Sequence, residues 1–376
     1  MLSKTLYNII NYRVSVDVAF KRACKGVRRL SLSEREKLYT ISRDFISSYL
    51  RVKCFLGSGR SYSSYARVWL DNLVCEQDLP AWCRYGVDVW LYERLYSLMG
   101  DEVHELLRAL ERRVLWVRIN TLKTSEERVL RSLESEGVEY VIDMNYPYLI
   151  RIIKTSKPVR LLKPVKNFEL IPQDKASIAV VEALKPEPGE EILDMTFAPG
   201  MKTSLIMMHT DNRAKVVAVD ISYRRSLMGR QLMSKLGVDL SRVQVISSDA
   251  RDLQLRCRFS KVLLDAPCSN SGAISKDPGL KITLTPSKIT YYARIQRDLI
   301  RKALSLGETV VYSTCSLMPE EGEEIIDLIA NSVRLYRAVE WAGTGYPSYK
   351  TSEDVMRLYP HRHLTEGFFI SFMEIT

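Results

Sequence analysis

The sequence of 376 residues has only four histidines, no Cys-x-x-Cys pair, no internal repeat and no low-complexity tract. It also lacks any run of about 18 uninterrupted apolar residues, which is the length that a membrane-spanning helix needs. The N-terminal stretch is broken by Asn, Arg and Asp before a signal-peptide core can form. These absences argue against a membrane protein, a secreted protein and a zinc site made of clustered cysteine and histidine.

The cysteines are odd in number and widely scattered. There are seven of them, at positions 24, 54, 75, 83, 257, 268 and 315. This distribution favours neither a disulfide framework nor a metal centre, and it is typical of a protein kept in a reducing cytosol. We therefore expect a cytoplasmic protein that holds no metal. Taken singly, Cys24, Cys54 and Cys257 are expected to be small buried apolar residues.

Positive charge is concentrated at the N-terminus. The whole chain has 55 Lys and Arg against 45 Asp and Glu, a net charge of +10, and residues 1–60 alone hold 13 basic and 4 acidic residues. A surface of this kind suits a polyanion such as nucleic acid, because each neutralised phosphate releases condensed counterions. A solvated helical surface with surplus lysine and arginine is the alternative interpretation of the same charge.

Hydrophobic periodicity divides the chain into three regions. Apolar residues three and four apart predict helices over 1–110, and Gly100 is expected to end one of them. Residues 112–168 predict a small α/β module, with strand-like runs near 114–120 and 148–153 around a helix. From 169 to 376, β-branched runs alternate with helical stretches, which predicts a doubly wound parallel sheet in an α/β fold.

Four consecutive predicted strands end at an aspartate, namely Asp194, Asp220, Asp249 and Asp265. The carboxyl ends of parallel strands form one edge of the sheet, and ligands bind there at the point where the strand order reverses. A single such aspartate is more often a turn or helix-capping residue. Four of them at one edge are suited to the ribose hydroxyls and amino groups of a nucleoside.

The turn at Pro199 and Gly200 follows the first of these strands and leads into a helix. The surrounding segment is neither G-x-G-x-x-G nor a P-loop, so a bound pyrophosphate is not indicated. Asp220 lies 20 residues after Gly200, a spacing at which an acidic residue reaches ribose hydroxyls in related folds. A nucleoside bound without a phosphate anchor points to S-adenosylmethionine.

Two cysteines follow the fourth and fifth predicted strands. Cys268 lies in Asp-Ala-Pro-Cys-Ser and Cys315 in Ser-Thr-Cys-Ser. If these strands are neighbours, both thiols lie at the edge that carries the carboxylates. Carbon 5 of a pyrimidine becomes nucleophilic when a thiolate adds to carbon 6, and a second group must then remove the carbon-5 proton. Asp265 is placed to assist the addition at the edge of the base.

The run Arg118-Ile-Asn-Thr-Leu-Lys in the small module alternates polar and apolar residues. The alternation places the polar side chains on one face of a strand. We expect Arg118, Asn120 and Lys123 to contact a nucleic acid, which is RNA in the family that the motifs described next resemble. A merely solvated strand face is the alternative.

These motifs resemble those of the Sun/Fmu family of RNA 5-methylcytosine methyltransferases. They occur in the family's order over about 115–376, and residues 1–110 are more weakly similar to a NusB-like RNA-binding domain. The segments that carry the resemblance are Arg118-Ile-Asn-Thr-Leu-Lys, Gln173-Asp, Leu193-Asp with Ala-Pro-Gly-x-Lys-Thr, Asp265-Ala-Pro-Cys-Ser, Ser313-Thr-Cys-Ser with Pro-Glu-Glu, and Arg357-x-x-Pro-His with Gly-Phe-Phe; the NusB-like segment begins at Arg28-Arg-Leu-Ser.

The resemblance implies a Rossmann-like class I methyltransferase fold and assigns roles. Cys315 would be the nucleophile at carbon 6, Cys268 would help to release the product, and Asp265 would face both the cofactor and the target base. S-adenosylmethionine would be held by Thr196, Phe197, Ala198, Pro199, Gly200, Met201, Lys202, Asp220, Asp249 and Asp265. The implied activity is methyl transfer to carbon 5 of cytosine in rRNA or tRNA, by a protein expected to be a monomer without a membrane partner.

The sequence departs from the family's pattern at two places. Phe197 and Met201 replace smaller residues and are expected to enlarge the cofactor loop, and Gly322 replaces an asparagine, which is expected to loosen the following helix. These departures leave open an RNA-binding assembly factor that methylates slowly or not at all. A DNA cytosine methyltransferase is a further alternative, although such enzymes share only the Pro-Cys nucleophile. An amino-group methyltransferase would need no thiol.

Overall fold

The computed structural model describes residues 1–25, 27, 30–77, 79–255 and 257–375. The chain divides into a helical unit, formed by Met1–Arg113 and Asn270–Lys288, and a sheet unit, formed by Val114–Ser269 and Ile289–Thr376. Among the described residues, no helix is both long and apolar enough to cross a membrane.

The α-helices are numbered in chain order. They are α1 (Leu2–Tyr12), α2 (Val16–Ala23), α3 (Leu32–Leu56), α4 (Tyr62–Leu70), α5 (Ala81–Arg84), α6 (Val89–Met99), α7 (Val103–Leu110), α8 (Glu126–Ser135), α9 (Lys163–Lys166), α10 (Lys175–Leu184), α11 (Met201–His209), α12 (Tyr223–Lys235), α13 (Leu280–Thr283), α14 (Pro286–Leu306), α15 (Glu323–Asp327) and α16 (Pro360–His363).

The strands are numbered in the same way. They are β1 (Leu115–Ile119), β2 (Glu139–Ile142), β3 (Leu149–Lys154), β4 (Leu170–Pro172), β5 (Glu191–Asp194), β6 (Lys215–Asp220), β7 (Val243–Ser247), β8 (Phe259–Asp265), β9 (Gly307–Thr314), β10 (Val333–Tyr336), β11 (Met356–Leu358) and β12 (Phe368–Ile375).

Side-chain caps mark the starts of α2, α3, α4 and α6 in the helical unit. Ser31 and Glu34 form a capping box at the start of α3, in which the Glu34 amide donates to Ser31 Oγ at 3.2 Å and the Ser31 amide donates to the Glu34 carboxylate at 2.8 Å. Gly100, with φ of 58°, ends α6 as predicted. Arg28 and Arg29, which open the segment similar to a NusB-like domain, lie outside the described residues.

The segment 270–288 belongs to the helical unit, although the sequence suggested that all of 169–376 forms one domain. The Arg43 guanidinium donates to the carbonyl of Ser275. The Val16 amide donates to the Asp277 carboxylate at 3.1 Å, and the buried Lys281 ammonium donates to the carbonyl of Tyr85 at 2.9 Å. The predicted domain boundaries are therefore wrong here, because long-range packing and not local pattern decides where this segment lies.

A disulfide joins Cys54, on α3, to Cys83, on α5. The Cα atoms of the two residues are 6.0 Å apart, within the range that a disulfide requires. The expectation that Cys54 is a simple buried thiol is wrong. No sequence spacing announces this pair, because the two residues are brought together by helix packing.

The small α/β module has a four-stranded sheet in the order β2-β3-β1-β4. The strand pairs in this sheet are antiparallel. β4 pairs with β1 through the partners Ile119 and Leu170, so the predicted end of the module at residue 168 cuts off one of its strands. The module and the larger sheet belong to the same unit.

The larger sheet has the order β10-β12-β9-β8-β5-β6-β7, with β11 paired to β12. The strands from β9 to β7 pair in parallel, and β12 is antiparallel to β9. Buried apolar side chains from α10, α11 and the strands form the core on one face of the sheet. The predicted doubly wound α/β sheet is confirmed, and its strand order reverses between β5 and β8, which is where such folds bind ligands.

Candidate active site

Three of the four aspartates predicted at strand ends are the last residues of their strands. Asp194 ends β5, Asp220 ends β6 and Asp265 ends β8, whereas Asp249 lies two residues beyond the end of β7. β5 lies between β6 and β8, so the carboxylates follow the same edge of the sheet on both sides of the switch in strand order. The predicted row of carboxylates is therefore confirmed in position.

Asp194 is buried, and its side chain forms hydrogen bonds with the segment that follows it. Its carboxylate accepts a hydrogen bond from Thr203 Oγ1 at 2.6 Å and one from the Thr196 amide at 3.2 Å. Burial raises the pKa of Asp194 to about 6, and these hydrogen bonds oppose the increase. The side chain fixes the path from β5 into α11 and is 2% exposed.

Gly200 shapes the turn between β5 and α11. Its φ is +95°, a backbone conformation that residues with a side chain rarely adopt. A Cβ at this position would lie 2.6 Å from the ring of Phe197. The ring of Phe197 also lies over Gly229 of α12, where a Cβ would be 2.7 Å away. Phe197 is 3% exposed, so its side chain fills a space beside two glycines. The expected enlargement of the cofactor loop by Phe197 is wrong for this reason.

Asp220 and Asp249 are both engaged by nearby donors. Asp220 accepts the Ala198 amide at 3.2 Å and the Ser222 amide at 2.9 Å. Asp249 forms an ion pair with Arg251 at 2.6 Å, and hydrogen bonds from Arg251 hold the pKa of Asp249 below its usual range. Asp220 therefore holds the loop of Ala198 against the end of β6, and Asp249 has a cationic neighbour.

Asp265 is held at both oxygens. Lys202 Nζ lies 2.5 Å from Oδ2, and Ser313 Oγ donates to Oδ1 at 2.9 Å. Thr196 Oγ1 donates to the backbone carbonyl of Asp265 at 2.8 Å. The side chain of Asp265 is 31% exposed, so this carboxylate has a fixed orientation and remains open to a ligand.

The two cysteines lie together. β8 and β9 are parallel neighbours in which Asp265 is the partner of Ser313, so the chain segments that follow them run side by side. The sulfur atoms of Cys268 and Cys315 are 3.2 Å apart, longer than the ~2.05 Å of a disulfide bond. Cys268 is 5% exposed and Cys315 is partly exposed. The prediction that both thiols meet at this edge is confirmed.

Glu321 is a residue of this site for which the sequence indicated no role. It is fully buried after β9, and its carboxylate accepts hydrogen bonds from the hydroxyls of Ser269 and Ser316, both at 2.5 Å. These serines directly follow Cys268 and Cys315. The repeated Cys-Ser dipeptide and the Pro-Glu-Glu run were the signals present in the sequence.

Two of the three residues expected to contact RNA are buried. Arg118 is 0% exposed and donates to Gln173 Oε1 and Ser204 Oγ, both at 2.6 Å, and burial lowers its pKa to about 9. Asn120 is 1% exposed and donates to the carbonyl of Leu236 at 2.8 Å.

The prediction is therefore wrong for Arg118 and Asn120, because their strand face packs against the rest of the unit. Lys123 is exposed and donates to the carbonyl of Lys235 at 3.0 Å.

The carboxylates at the sheet edge fit a cationic nucleoside such as S-adenosylmethionine. Carboxylates suit ribose hydroxyls, an adenine amino group and positive charge, and the Gly200 turn lets the backbone approach a ligand closely. Met201 is partly buried against the core, and Lys202 points to Asp265. Among the described residues, no cluster of His, Cys, Asp and Glu is arranged to hold a metal ion.

Comparisons with known proteins agree with this geometry. Residues 181–374 match the family model "16S rRNA methyltransferase RsmB/F", and residues 88–159 match a model of the ferredoxin-like domain of RsmF/B-like methyltransferases. A crystal structure of PH0851 is similar with a TM-score of 0.81 and 25% identity, over 99% of this chain and 96% of that one. The Rossmann-like methyltransferase fold is thereby confirmed.

Curated relatives include ribosomal RNA small subunit methyltransferase B of Proteus mirabilis, 31% identical over 67% of this chain and 60% of the relative. The 28S rRNA (cytosine-C(5))-methyltransferase of Mus musculus is 31% identical over 83% of this chain and 41% of the relative. The chain thus spans about 60% or less of these two relatives' length. On the family model, which matches more than half of its residues, the chain belongs to the Sun/Fmu (RsmB/F) methyltransferase family.

Proposed function

We propose that this protein is an S-adenosylmethionine-dependent RNA methyltransferase that modifies carbon 5 of cytosine through a covalent cysteine adduct. The observation that carries the proposal is the pair of thiols, Cys268 and Cys315, with sulfurs 3.2 Å apart next to Asp265 at the ligand edge of the sheet. Methyl transfer to an amino group has no use for two thiols there. The name of the mouse relative favours cytosine carbon 5.

The cofactor supplies an activated methyl group. On this chain, the segment from Thr196 to Lys202 would lie along it, with Asp220 and Asp249 toward the nucleoside and Asp265 toward the reacting end. The left-handed turn at Gly200 supports this, because it leads the chain from the end of β5 into α11, and the ring of Phe197 packs beside Gly200 and Gly229.

Cys315 is assigned the nucleophilic role. Its thiolate would form a bond to carbon 6, and the electron pair of the carbon 5–carbon 6 double bond would move to carbon 5. Carbon 5 would then bond to the methyl group as the bond between that methyl and the cofactor's sulfur breaks, with the electron pair of the broken bond left on the sulfur. Removal of the carbon-5 proton then restores the double bond as the sulfur–carbon bond breaks. Partial exposure of Cys315 supports this assignment, because the nucleophile must reach the base.

Cys268 and Asp265 are assigned the supporting roles. Cys268 would remove the carbon-5 proton, which its proximity to Cys315 supports. The Asp265 carboxylate, oriented by Lys202 and Ser313, is an acceptor for the exocyclic amino group of cytosine. The target base must leave its stack to reach this edge, so single-stranded or locally opened RNA is the expected substrate.

The substrate is proposed to be rRNA, as the names of the curated relatives suggest, with tRNA as the other candidate. Exposed basic residues of 1–60 and Lys123 are proposed to contact the RNA backbone, and the NusB-like nature of 1–110 stays a prediction. A cytoplasmic location and a monomeric state are likewise predictions.

The test uses the purified chain, labelled S-adenosylmethionine, and rRNA and tRNA that lack modification. Nucleosides from the product are separated to identify the methylated base. We expect 5-methylcytidine with the wild type and no product with Cys315→Ala. Cys257→Ala, which removes an exposed cysteine away from the site, is the matched control and should leave the activity unchanged.

Two results would contradict the proposal. Product from Cys315→Ala at the wild-type rate would exclude this cysteine as the nucleophile. Tight RNA binding without measurable S-adenosylmethionine binding in calorimetry would instead favour the RNA-binding assembly factor.

A further inference from the structure

We propose that Glu321 is a positioning residue that holds Cys268 and Cys315 in register by receiving hydrogen bonds from the serine that follows each of them. Its catalytic consequence rests on the proposed function, whereas the positioning itself can be tested without RNA. One buried carboxylate thus connects the two chain segments that carry the reactive thiols.

The contacts converge on the two oxygens of one side chain. Glu321 Oε1 accepts the Ser269 amide at 2.8 Å, and Oε2 accepts the hydroxyls of Ser269 and Ser316 at 2.5 Å each. The side chains of Ser269, Ser316 and Glu321 are all 0% exposed. Water therefore does not compete for these bonds, and the two cysteine segments are held together because both serine hydroxyls donate to the same carboxylate oxygen.

Glu321 is itself anchored on other elements of the sheet unit. Its backbone carbonyl accepts the hydroxyl of Tyr312 at 2.9 Å and that of Thr314 at 3.1 Å, both on β9. Gln296 of α14 donates to Oε1 at 3.2 Å and to the carbonyl of Pro267 at 2.8 Å, just before Cys268. These contacts fix the position of the Glu321 carboxylate, and the two cysteine segments are held relative to it.

The chemistry of the contacts requires a carboxylate at this position. An ionised carboxylate only accepts hydrogen bonds, and the groups that surround it here all donate. Burial raises the pKa of Glu321, and the hydrogen bonds from Ser269 and Ser316 oppose that increase. A glutamine of the same size would turn an amide N–H toward these donors, and a buried donor left without an acceptor destabilises the site.

Loss of the hydrogen bonds to Glu321 should slow the reaction more than it weakens substrate binding. Ser269 and Ser316 adjoin the two cysteines in the sequence, so a shift at either serine moves the adjacent sulfur. A displacement of about 1 Å at a reacting group lowers a rate by about 10²-fold. The KM values for RNA and S-adenosylmethionine should stay close to those of the wild type while kcat falls.

The first experiment measures thiol juxtaposition in the full chain without RNA. Diamide takes one hydrogen from each thiol and leaves a Cys268–Cys315 disulfide, whose rate of formation is followed by peptide mass mapping. Glu321→Gln is expected to slow this reaction by about tenfold or more, because the sulfurs no longer start in contact. Asp327→Asn is the matched control, since the Asp327 carboxylate accepts hydrogen bonds from the amide and hydroxyl of Thr351 and not from the cysteine segments. A Glu321→Gln rate equal to that of the control would overturn the proposal.

The second experiment separates the two cysteine segments and also serves if Glu321→Gln does not fold. Ser316→Ala should slow formation of the covalent RNA adduct, and Ser269→Ala should slow its breakdown, with KM values unchanged in both. In the diamide reaction, both serine variants should be slower than the wild type. Wild-type cross-linking rates in both would overturn the proposal. A wild-type chain that cross-links readily but does not methylate RNA would contradict the proposed function and leave the positioning role of Glu321 intact.

Discussion

Replacing Cys268 by alanine is expected to leave the protein covalently attached to its RNA. In the proposed reaction Cys315 forms the bond to carbon 6, and Cys268 acts only afterwards, when the carbon-5 proton must leave. The alanine variant can therefore enter the adduct and transfer the methyl group. Elimination is the step that it lacks.

The structure sets the size of the effect. Cys268 Sγ lies 3.2 Å from Cys315 Sγ, close enough to act on the same ring. A positioned acid–base group contributes about 10²–10⁴-fold to a rate, so release should slow by that factor. Cys268 is 5% exposed, and removal of one buried sulfur should destabilise the fold by about 1 kcal/mol, which leaves the chain folded.

The assay is denaturing electrophoresis of the chain after incubation with labelled RNA. Cys268→Ala should give a slowly migrating protein–RNA band that requires S-adenosylmethionine. The band should disappear in the Cys268→Ala, Cys315→Ala double variant, and Cys257→Ala should behave as the wild type does. A band formed by Cys315→Ala in place of Cys268→Ala would mean that the two roles are reversed, and normal turnover by Cys268→Ala would mean that this thiol only packs.

Three further predictions concern the surroundings of the site. Gly322→Asn should lower stability by about 1–3 kcal/mol in urea denaturation, because a Cβ there would lie 2.8 Å from the ring of Phe369; an unchanged midpoint would contradict the close packing. Lys123→Glu should weaken RNA binding and reduce its salt dependence, whereas the folded Arg118→Met variant should bind RNA normally; a loss confined to Arg118→Met would contradict the burial argument. Burial lowers the pKa of Lys281 from 10.5 to about 8, so between these pH values the unfolded chain binds more protons than the folded chain does. The stability of the wild type should therefore rise over that pH window, relative to that of Lys281→Met, by about 3 kcal/mol at most. Parallel profiles of stability against pH for the two chains would contradict this prediction.

The parts of the site that the sequence predicted are those governed by strand order. The runs before Asp194 and Asp220 are short and apolar with polar ends, and both strands end at the predicted aspartate. Once the sheet is parallel, the thiols of Cys268 and Cys315 must meet if their strands are adjacent, and they do. Local pattern and topology together were sufficient there.

The failures share a different cause. Alternation in the segment of Arg118 and Asn120 identifies a strand face, but it does not say whether another element covers that face, and here Ser204 of α11 and the carbonyl of Leu236 lie against it. The role of Glu321 depends on the segments of Ser269 and Ser316, which lie 52 and 5 residues away along the chain. Such contacts leave no trace in local periodicity.

Long-range contacts within the helical unit also restrict how its role can be tested. Deleting residues 1–105 removes the basic region, but it also removes Arg43 and Tyr85, which bind the segment 270–288. A truncated chain that fails to methylate would then reflect either lost RNA affinity or a disrupted segment next to Cys268 in the sequence. Charge reversal at Lys37 and Lys53, which are exposed on α3, alters the charge and leaves those contacts in place. Only a loss of RNA affinity in that variant, with the sheet unit unchanged, would assign the electrostatic contribution to residues 1–60.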